Sequence, residues 1–252
     1  MIKVNGRLIE PIKFPDGTSQ INKIKLINPF RKGAAIIEWD FEHDGEVFYI
    51  CQILQILDRY DLRHVIIKAD FLPYGRQDHM VSNETTFCLH TMGTVFTACY
   101  QKQLIFETID AHSNVLGDYL SLADRNHPIR EIREHPEFKN HTVVFPDAGA
   151  ASRYGGNMDE VIVFNKTRDL ETGDVDGMVF ARVPEKHTRK FLIVDDICDG
   201  GRTFIEVAKR LQPFKPLEIV LFTTHGIYSK GTQVLFDAGI DRVINHKEEI
   251  KR

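Results

Sequence analysis

Seven short apolar segments alternate with segments of helical length along most of the chain. The apolar segments are rich in Val, Ile and Phe, and they are AAIIEW (34–39), HVIIKA (64–69), LIFETI (104–109), HTVVFP (141–146), EVIVF (160–164), FLIVD (191–195) and LEIVLFTT (217–224). The segments with helical length or spacing are 46–60, 84–101, 150–157, 202–212 and 230–238. Several apolar segments lack a polar alternation, which is typical of strands buried on both faces. This order predicts an α/β fold with parallel sheets flanked by helices.

A polar stretch divides the two series of strands and helices. Residues 124–140 (DRNHPIREIREHPEFKN) carry two prolines and lie between the third and fourth apolar segments. A chain of 252 residues is long enough for one large domain or two smaller ones. We therefore expect an N-terminal domain over residues 1–124 and a C-terminal domain over residues 125–252.

Composition and charge exclude several classes of protein. Hydrophobic residues make up 42% of the chain and charged residues 27%, which excludes a disordered, fibrous or disulfide-stapled chain. A formal net charge of −4 argues against a protein that coats nucleic acid. No apolar run is long enough to cross a membrane, and the N-terminus lacks a secretory apolar core. We expect a cytoplasmic protein with no nucleic-acid or membrane partner. Its four cysteines, which have no metal-binding spacing, are expected to be free thiols.

Four apolar segments are followed directly by polar residues of the kinds that bind ligands. These sequences are ADFLPYGRQDH, TIDAH, FPDAGAASR and VDDICDGGRT. Ligands of parallel α/β sheets bind beyond the carboxyl ends of the strands. The four sequences are therefore the candidate functional segments.

The segment VDDICDGGRT (194–203) is the most informative of the four. Gly200 and Gly201 allow successive backbone amides to converge on an anion, and the following helix N-terminus favours negative charge. Thr203 can cap that helix. The adjacent carboxylates of Asp195 and Asp196 suit sugar hydroxyls or a divalent cation. A phosphorylated sugar satisfies both halves of the turn, whereas the alternative interpretation is a purely structural strand-to-helix turn.

This segment resembles the 5-phosphoribosyl-1-diphosphate (PRPP) motif of the phosphoribosyltransferase fold. That fold includes transferases that consume PRPP and synthetases that make it from ATP and ribose 5-phosphate. Three more segments resemble the synthetases: FLPYGRQDH (71–79) is similar to their PYxRQD segment, FPDAGAASR (145–153) to SPDxGGxxR, and FPDGTSQI (14–21) to the FSDGE loop. The similar segments run in order from about residue 14 to residue 231.

The resemblance to the PRPP synthetases implies two Rossmann-like domains of the phosphoribosyltransferase type and a role for each matched position. The implied phosphoribosyl-binding residues are Asp195, Asp196, Asp199, Gly200, Gly201, Arg202 and Thr203. The implied ATP-binding residues are Phe14, Asp16, Arg76, Gln77, Asp78 and His112, and the implied ligands of Mg²⁺ are His112 and Asp147. The implied catalytic pair is Lys166 and Arg168, on a flexible loop over 165–176. Because these two residues are two positions apart, in an extended loop they point the same way and can clamp the transferring phosphates.

The implied activity is a Mg²⁺-dependent diphosphokinase that transfers the β,γ-diphosphoryl group of ATP to the C1 hydroxyl of ribose 5-phosphate. The implied assembly is a homo-oligomer with its active site near a subunit interface. Departures from the family pattern include residues 1–13, where its first strand and helix are missing or replaced, Thr18 in place of a Glu of the adenine loop, and Arg202 in place of a small residue. The added guanidinium keeps ADP-ribose open as an alternative acceptor. A PRPP-consuming phosphoribosyltransferase and an inactive regulatory relative are the other hypotheses.

Overall fold

The computed structural model describes residues 1–22, 33–60, 62–125, 128–155, 161–168 and 175–251. The chain forms two compact units, Met1–Asn126 and His127–Arg252. The strands are β1 (Ile2–Val4), β2 (Arg7–Leu8), β3 (Ile12–Lys13), β4 (Ser19–Gln20), β5 (Ala34–Trp39), β6 (His64–Lys68), β7 (Gln103–Ile109), β8 (Ser121–Arg125), β9 (Thr142–Phe145), β10 (Val161–Arg168), β11 (Val175–Arg182), β12 (Lys190–Cys198), β13 (Glu218–Gly226), β14 (Arg242–Ile244) and β15 (Glu249–Lys251). The α-helices are α1 (Gly45–Asp58), α2 (Cys88–Cys99), α3 (Pro128–Glu134), α4 (Ala148–Tyr154), α5 (Arg202–Leu211) and α6 (Gln233–Asp237).

The N-terminal unit is built on a six-stranded sheet with the order β2-β1-β5-β6-β7-β8. Strands β5 to β8 are parallel, and β1 pairs antiparallel with both β2 and β5. The inward-facing residues of the parallel strands form one core cluster with α1 and α2. Trp39 packs edge-on against Phe96 of α2, with ring centroids 6.2 Å apart. The alternating burial of β5, β6 and β7 follows from this one-sided packing.

The C-terminal unit is built on a seven-stranded sheet with the order β11-β10-β9-β12-β13-β14-β15. The five central strands are parallel, and the two edge strands β11 and β15 are antiparallel to their neighbours. Helices cover both faces of this sheet. Phe191 and Ile193 of β12 pack in the cluster that contains α5 and α6, whereas Leu192 and Val194 pack in the cluster that contains α3 and α4. Burial on both faces explains why this strand reads as a continuous apolar run.

The predicted α/β fold is confirmed, and each of the seven apolar segments contains a strand. The sheets are mostly rather than wholly parallel, because antiparallel strands lie at their edges. The four cysteines are free thiols, as expected. No helix among the described residues is long and apolar enough to span a membrane.

Two segments contain secondary structure that the sequence pattern does not predict. The polar segment 124–140 includes helix α3 and a 3₁₀ turn at Pro136–Phe138. Ile129 and Phe138 anchor this segment because both side chains are buried in the core. Residues 1–13 form β1, β2 and β3, so they add strands at the place where the family pattern has a strand and a helix.

Candidate functional site

The acidic segment lies at the carboxyl end of β12 in the C-terminal unit. The strand continues to Cys198, so it extends three residues beyond the apolar segment 191–195 and includes Asp196 as well as Asp195. Continued pairing with β13 explains the difference, since Asp195 is in register with Thr223. The turn itself is therefore short and consists of residues 199–201, after which α5 begins.

Gly201 is required in this turn for two separate reasons. Its φ is +76°, in the left-handed region where a side chain is strained. A Cβ at this position would also lie 2.8 Å from Cδ2 of Leu235, a buried residue of α6. Gly200 has no such clash, because its nearest neighbours would lie 3.6 Å away. The neighbours of Gly200 are thus at ordinary contact distance, whereas Gly201 is closely packed. Arg202, which begins α5, is exposed, and Thr203 is half-buried in the first turn of the helix.

Asp196 is held by a residue from another element. Its carboxylate is almost fully buried and accepts a hydrogen bond from Nη1 of Arg153, at 2.9 Å. Arg153 lies on α4, the helix that follows β9, and its guanidinium also contacts the ring of Tyr154. A buried carboxylate needs such a partner, because removal from water otherwise costs several kcal/mol. Arg153 therefore fixes the position of the Asp196 carboxylate.

Asp195 lies in a strongly negative environment. Its partial burial and the neighbouring carboxylates of Asp196 and Asp147 raise its pKa well above the ordinary value. Asp147 stands at the N-terminus of α4, where its Oδ1 accepts a hydrogen bond from the amide of Ala150 at 2.9 Å. The three carboxylates share one region at the carboxyl ends of β9 and β12. A cation or a set of hydroxyl donors bound there relieves their repulsion.

The loop after β13 closes over the glycine turn. Its amides at Ile227 and Tyr228 donate to the carbonyl oxygen of Cys198, at 2.8 and 3.2 Å. Ser229 donates its hydroxyl proton to Oδ1 of Asp199 at 2.5 Å. Asp199, a predicted phosphoribosyl-binding residue, thus accepts a hydrogen bond from this loop. These contacts hold the turn against the loop.

The RQD segment follows β6 in the N-terminal unit and is folded tightly onto the end of β7. Tyr74 has a left-handed φ of +60° and donates its hydroxyl proton to Asp44, at 2.7 Å. A Cβ on Gly75 would lie 3.4 Å from Cβ of His112 and 3.2 Å from the carbonyl oxygen of Leu72. The segment therefore brings its polar residues against the Asp-x-His sequence that follows β7.

The predicted nucleotide residues of this segment differ in exposure. Arg76 and Gln77 are exposed, whereas Asp78 and His112 are half-buried. Hydrogen bonds from His79 and Ser113 outweigh the effect of partial burial and hold the pKa of Asp78 below its ordinary value. Asp78 is thus anchored as a carboxylate between the two loops.

Backbone strain also marks the Asp-x-His sequence. Asp110 is buried and has a φ of +51°, which is uncommon for a residue other than glycine. The amide of the next residue, Ala111, donates to Oδ2 of Asp124 at 3.2 Å. Strained residues of this kind often lie at binding sites, because surrounding contacts must hold them in place.

Phe14 and Asp16 lie on the β3–β4 hairpin of the same unit. Asp16 accepts two hydrogen bonds from Thr18, one from the amide at 2.9 Å and one from the hydroxyl at 2.7 Å. The side chain of Phe14 is exposed. The end of the hairpin is tied to α1, since the amide of Ile21 donates to Oε1 of Gln52 at 2.8 Å. An exposed aromatic side chain on a fixed turn is suited to stacking on a base.

Lys166 and Arg168 lie in a strand rather than in the predicted loop. Both belong to β10, where Lys166 pairs with Met178 and Arg168 with Val175 of β11. The antiparallel pairing of β10 with β11 accounts for the difference. The remainder of the predicted loop, residues 169–174, lies outside the described residues.

The two predicted ligands of Mg²⁺ lie in different units, His112 in the first and Asp147 in the second. Within the described parts of the chain, no group of three or more His, Cys, Asp or Glu side chains is arranged to hold a metal ion. Magnesium often uses only one or two carboxylates together with substrate phosphates and water. The carboxylate oxygens near Asp147 and Asp195 fit that kind of site, whereas a preformed protein cage is not found there.

Arg153 is the principal site residue that sequence reasoning left without a role. Its signal was present in the segment FPDAGAASR, but its partner Asp196 lies 43 positions away. Tyr74 likewise belongs to a predicted segment, FLPYGRQDH (71–79), but the sequence predicts no role for it. Neither the left-handed backbone at Tyr74 nor its contact with Asp44 has a local sequence signal.

Known proteins resemble this chain both in fold and in the sequence of the C-terminal unit. A family model described as the phosphoribosyl transferase domain matches residues 126–251. The ribose-phosphate pyrophosphokinase of Maricaulis maris is 24% identical over 188 residues, covering 71% of this chain and 59% of that protein. Ribose-phosphate pyrophosphokinase 4 of Saccharomyces cerevisiae is 24% identical over 182 residues, covering 68% and 54%. The chain thus spans less than two thirds of the length of these relatives.

A solved structure is similar over nearly the whole chain. The phosphoribosylpyrophosphate synthetase of Mycobacterium smegmatis matches with a TM-score of 0.73 and 17% sequence identity, covering 94% of this chain and 79% of that chain. At this level of identity the likeness establishes the shared fold.

Proposed function

Because the chain belongs to the phosphoribosyl transferase family and, within it, to the PRPP synthetases, we propose that it is a Mg²⁺-dependent diphosphokinase. It transfers the β,γ-diphosphoryl group of ATP to the C1 hydroxyl of ribose 5-phosphate and releases AMP. The proposal rests on the end of β12, where the half-buried Asp195 and the buried Asp196 precede a glycine turn and a helix N-terminus. This arrangement offers carboxylates to a sugar and amides to a phosphate.

The acceptor binds along this segment. The amides of the turn at 199–201 and the N-terminus of α5 hold the 5-phosphate, because backbone N–H groups and the helix dipole both favour an anion at this end of a helix. Asp195 and Asp196 accept hydrogen bonds from ribose hydroxyls. Arg153 keeps Asp196 in position for this contact through the 2.9 Å hydrogen bond. Preformed contacts of this kind lower the entropy cost of orienting the acceptor.

The nucleotide binds to the N-terminal unit. Arg76 and Gln77 contact the phosphates and sugar of ATP, and Asp78 and His112 shape the same surface. Phe14 stacks on the adenine, while Asp16 keeps the hairpin turn in place through Thr18. The exposure of Arg76, Gln77 and Phe14 is what a binding surface for a polar, aromatic ligand requires.

The transfer forms a bond between the acceptor's C1 oxygen and the β-phosphorus and breaks the bond from that phosphorus to the bridging oxygen of AMP. The hydroxyl proton passes to solvent water, and the bridging oxygen leaves as a phosphate oxygen of AMP. Lys166 and Arg168 stabilise the negative charge that develops on the transferred group. Asp147 and Asp195 supply carboxylate oxygens for Mg²⁺, and His112 adds a donor on the nucleotide side. When bound, the ion neutralises part of the phosphate charge.

ADP-ribose is a second candidate acceptor, and Arg202 is the observation that favours it. This exposed arginine begins α5, directly after the glycine turn. A guanidinium at that point can bind a second phosphate in a forked manner. The reaction at C1 is the same for both acceptors.

The experiment is product analysis by mass spectrometry after incubation of purified protein with MgATP and either ribose 5-phosphate or ADP-ribose. We expect AMP together with PRPP in the first mixture. The Lys166→Ala variant, prepared in parallel, controls for contaminating kinases. If AMP and a diphosphorylated product form only in the mixture with ADP-ribose, ADP-ribose is the acceptor.

Two other results would replace the proposal. Release of pyrophosphate from PRPP in the presence of a base or amine, without any transfer from ATP, identifies a phosphoribosyltransferase. Absence of conversion of either acceptor, in protein that still binds nucleotide, supports the regulatory relative. Both mixtures are measured with the same preparation.

A further inference from the structure

The loop after β13 brings a lysine to the glycine turn. The loop's shape is fixed by three residues with special backbone or packing requirements. Tyr228 and Gly231 have left-handed φ values of +48° and +72°. A Cβ on Gly226 would lie only 2.2 Å from the Tyr228 ring, so a side chain at this position would force that ring to move. The amides of Ile227 and Tyr228 and the hydroxyl of Ser229 bond to residues 198–199. Lys230, the next residue, is thereby held beside the turn.

The side chain of Lys230 lies against Gly200. Its Cδ and Cε atoms lie 3.6 Å from the point that a Cβ on Gly200 would occupy. One further C–N bond of about 1.5 Å places its ammonium nitrogen within about 5 Å of that point. Within the part of the chain that the structure describes, this ammonium has no ion pair or hydrogen bond with the protein. The aliphatic stem covers the turn, and the charge extends past it.

We infer that Lys230 binds the anionic group at C5 of the acceptor and sets the affinity of the site for a phosphorylated sugar. The inference rests on the proposed function, because it requires the acceptor's phosphate at the turn. Backbone amides bear only partial charges, so a phosphate dianion at 199–201 gains most from a nearby full positive charge. Lys230 provides that charge from the β13 side, since its Cδ and Cε atoms lie 3.6 Å from the point that a Cβ on Gly200 would occupy.

The test compares charge removal with charge retention at this position. Lys230→Met keeps an unbranched stem over Gly200 and removes the ammonium, whereas Lys230→Arg keeps a cation. Lys209→Met is the matched control, since Lys209 is an exposed lysine at the other end of α5, paired with Glu206 at 2.7 Å. We expect Lys230→Met to raise KM for ribose 5-phosphate about five- to twentyfold, with kcat and KM for ATP within twofold of wild type.

Ionic strength and direct binding separate an electrostatic contact from a structural one. The difference between wild type and Lys230→Met in KM for ribose 5-phosphate shrinks as salt rises from 50 mM to 500 mM, because an exposed charge is screened. Lys230→Arg restores most of the affinity. Calorimetric titration of ribose 5-phosphate into the protein without nucleotide gives the same order of affinities.

The outcomes distinguish this inference from the proposed function. Normal turnover with an unchanged KM for ribose 5-phosphate in Lys230→Met overturns the role of Lys230 and leaves the diphosphokinase in place. Binding of ribose 5-phosphate that depends on Lys230, without transfer from ATP, supports the role of Lys230 and removes the proposed reaction. Failure of the wild-type protein to bind ribose 5-phosphate overturns both. An equal rise of KM in Lys209→Met also overturns the inference.

Discussion

The hydrogen bond between Arg153 and Asp196 is expected to stabilise the C-terminal unit, and replacement of Arg153 tests this contribution. The Arg153→Met variant leaves the Asp196 carboxylate, whose side chain is 5% exposed, without its 2.9 Å partner. Loss of one partner of a fully buried ion pair costs about 3–5 kcal/mol, whereas an exposed pair contributes about 1 kcal/mol or less. Because the Arg153 side chain is 30% exposed, water can replace part of the interaction. We expect a loss of about 2–3 kcal/mol in the free energy of unfolding of the C-terminal unit.

The assay is urea unfolding followed by two signals. Circular dichroism reports both units, whereas the protein's single tryptophan, Trp39, reports the N-terminal unit. We expect Arg153→Met to lower the free energy of unfolding measured by circular dichroism more than the value measured by Trp39 fluorescence. A double-mutant cycle with Asp196→Asn isolates the pair, and the expected coupling is about 2 kcal/mol. Arg210→Met, on the exposed side of α5, is the control for loss of a positive charge.

A coupling below about 0.5 kcal/mol would show that the ion pair does not stabilise the fold, since a value of that size falls within the error of additivity. The same variants also test the assignment of the acidic pair to the acceptor. Asp196→Asn and Arg153→Met are expected to weaken binding of ribose 5-phosphate more than binding of ATP, and Arg153→Lys to restore only part of it. Calorimetry that shows the reverse order contradicts that assignment.

Three further predictions test other parts of the site. Lys166→Ala is expected to lower kcat by about 10²–10³ with little change in nucleotide affinity, because its charge acts mainly in the transition state; unchanged turnover removes it from catalysis. The pKa of Asp195 is raised in the folded protein, so its ionisation opposes folding at every pH above the pKa of the unfolded chain. Asp195→Asn is therefore expected to have a higher free energy of unfolding than wild type at pH 7 in EDTA, and this difference should vanish as pH falls below about 4. Gly201→Ala is expected to lose about 1–3 kcal/mol of stability through its φ and its contact with Leu235, whereas Gly200→Ala, which has ordinary neighbour distances, should be nearly neutral; equal losses would contradict the packing argument.

The sequence predicts the strands that are long and apolar, and it misses those that neighbouring strands stabilise. Strands β12 and β13 are buried on both faces, so their apolar runs are plain in the sequence. Strand β14 has only three residues, and β11 contains Asp176 and Gly177, which weaken a strand pattern. These two strands form because β13 and β10 offer edges for pairing. Such pairing is a tertiary effect that a local pattern does not contain.

The candidate site shows the same division between local and tertiary information. Two adjacent glycines predict a special turn, and the left-handed φ of Gly201 agrees with the conformational freedom that glycine provides. The ion pair of Arg153 with Asp196 and the approach of Lys230 to Gly200 join different elements. Their formation depends on how α4 and the loop after β13 pack at one edge of the sheet. Spacing along the chain carries no signal for either contact.

The distribution of backbone strain gives an independent argument for where the ligands bind. Among the residues that the structure describes, five other than glycine have left-handed φ values. Asn5 lies in the tight turn between β1 and β2, and Lys215 ends a 3₁₀ turn, so both have local structural reasons. The other three, Tyr74, Asp110 and Tyr228, follow the carboxyl ends of the parallel strands β6, β7 and β13. Each such residue costs about 1–3 kcal/mol and persists only where surrounding contacts impose it. Because that cost falls at the strand ends where α/β folds bind ligands, it favours binding surfaces in both units, with no reference to sequence similarity.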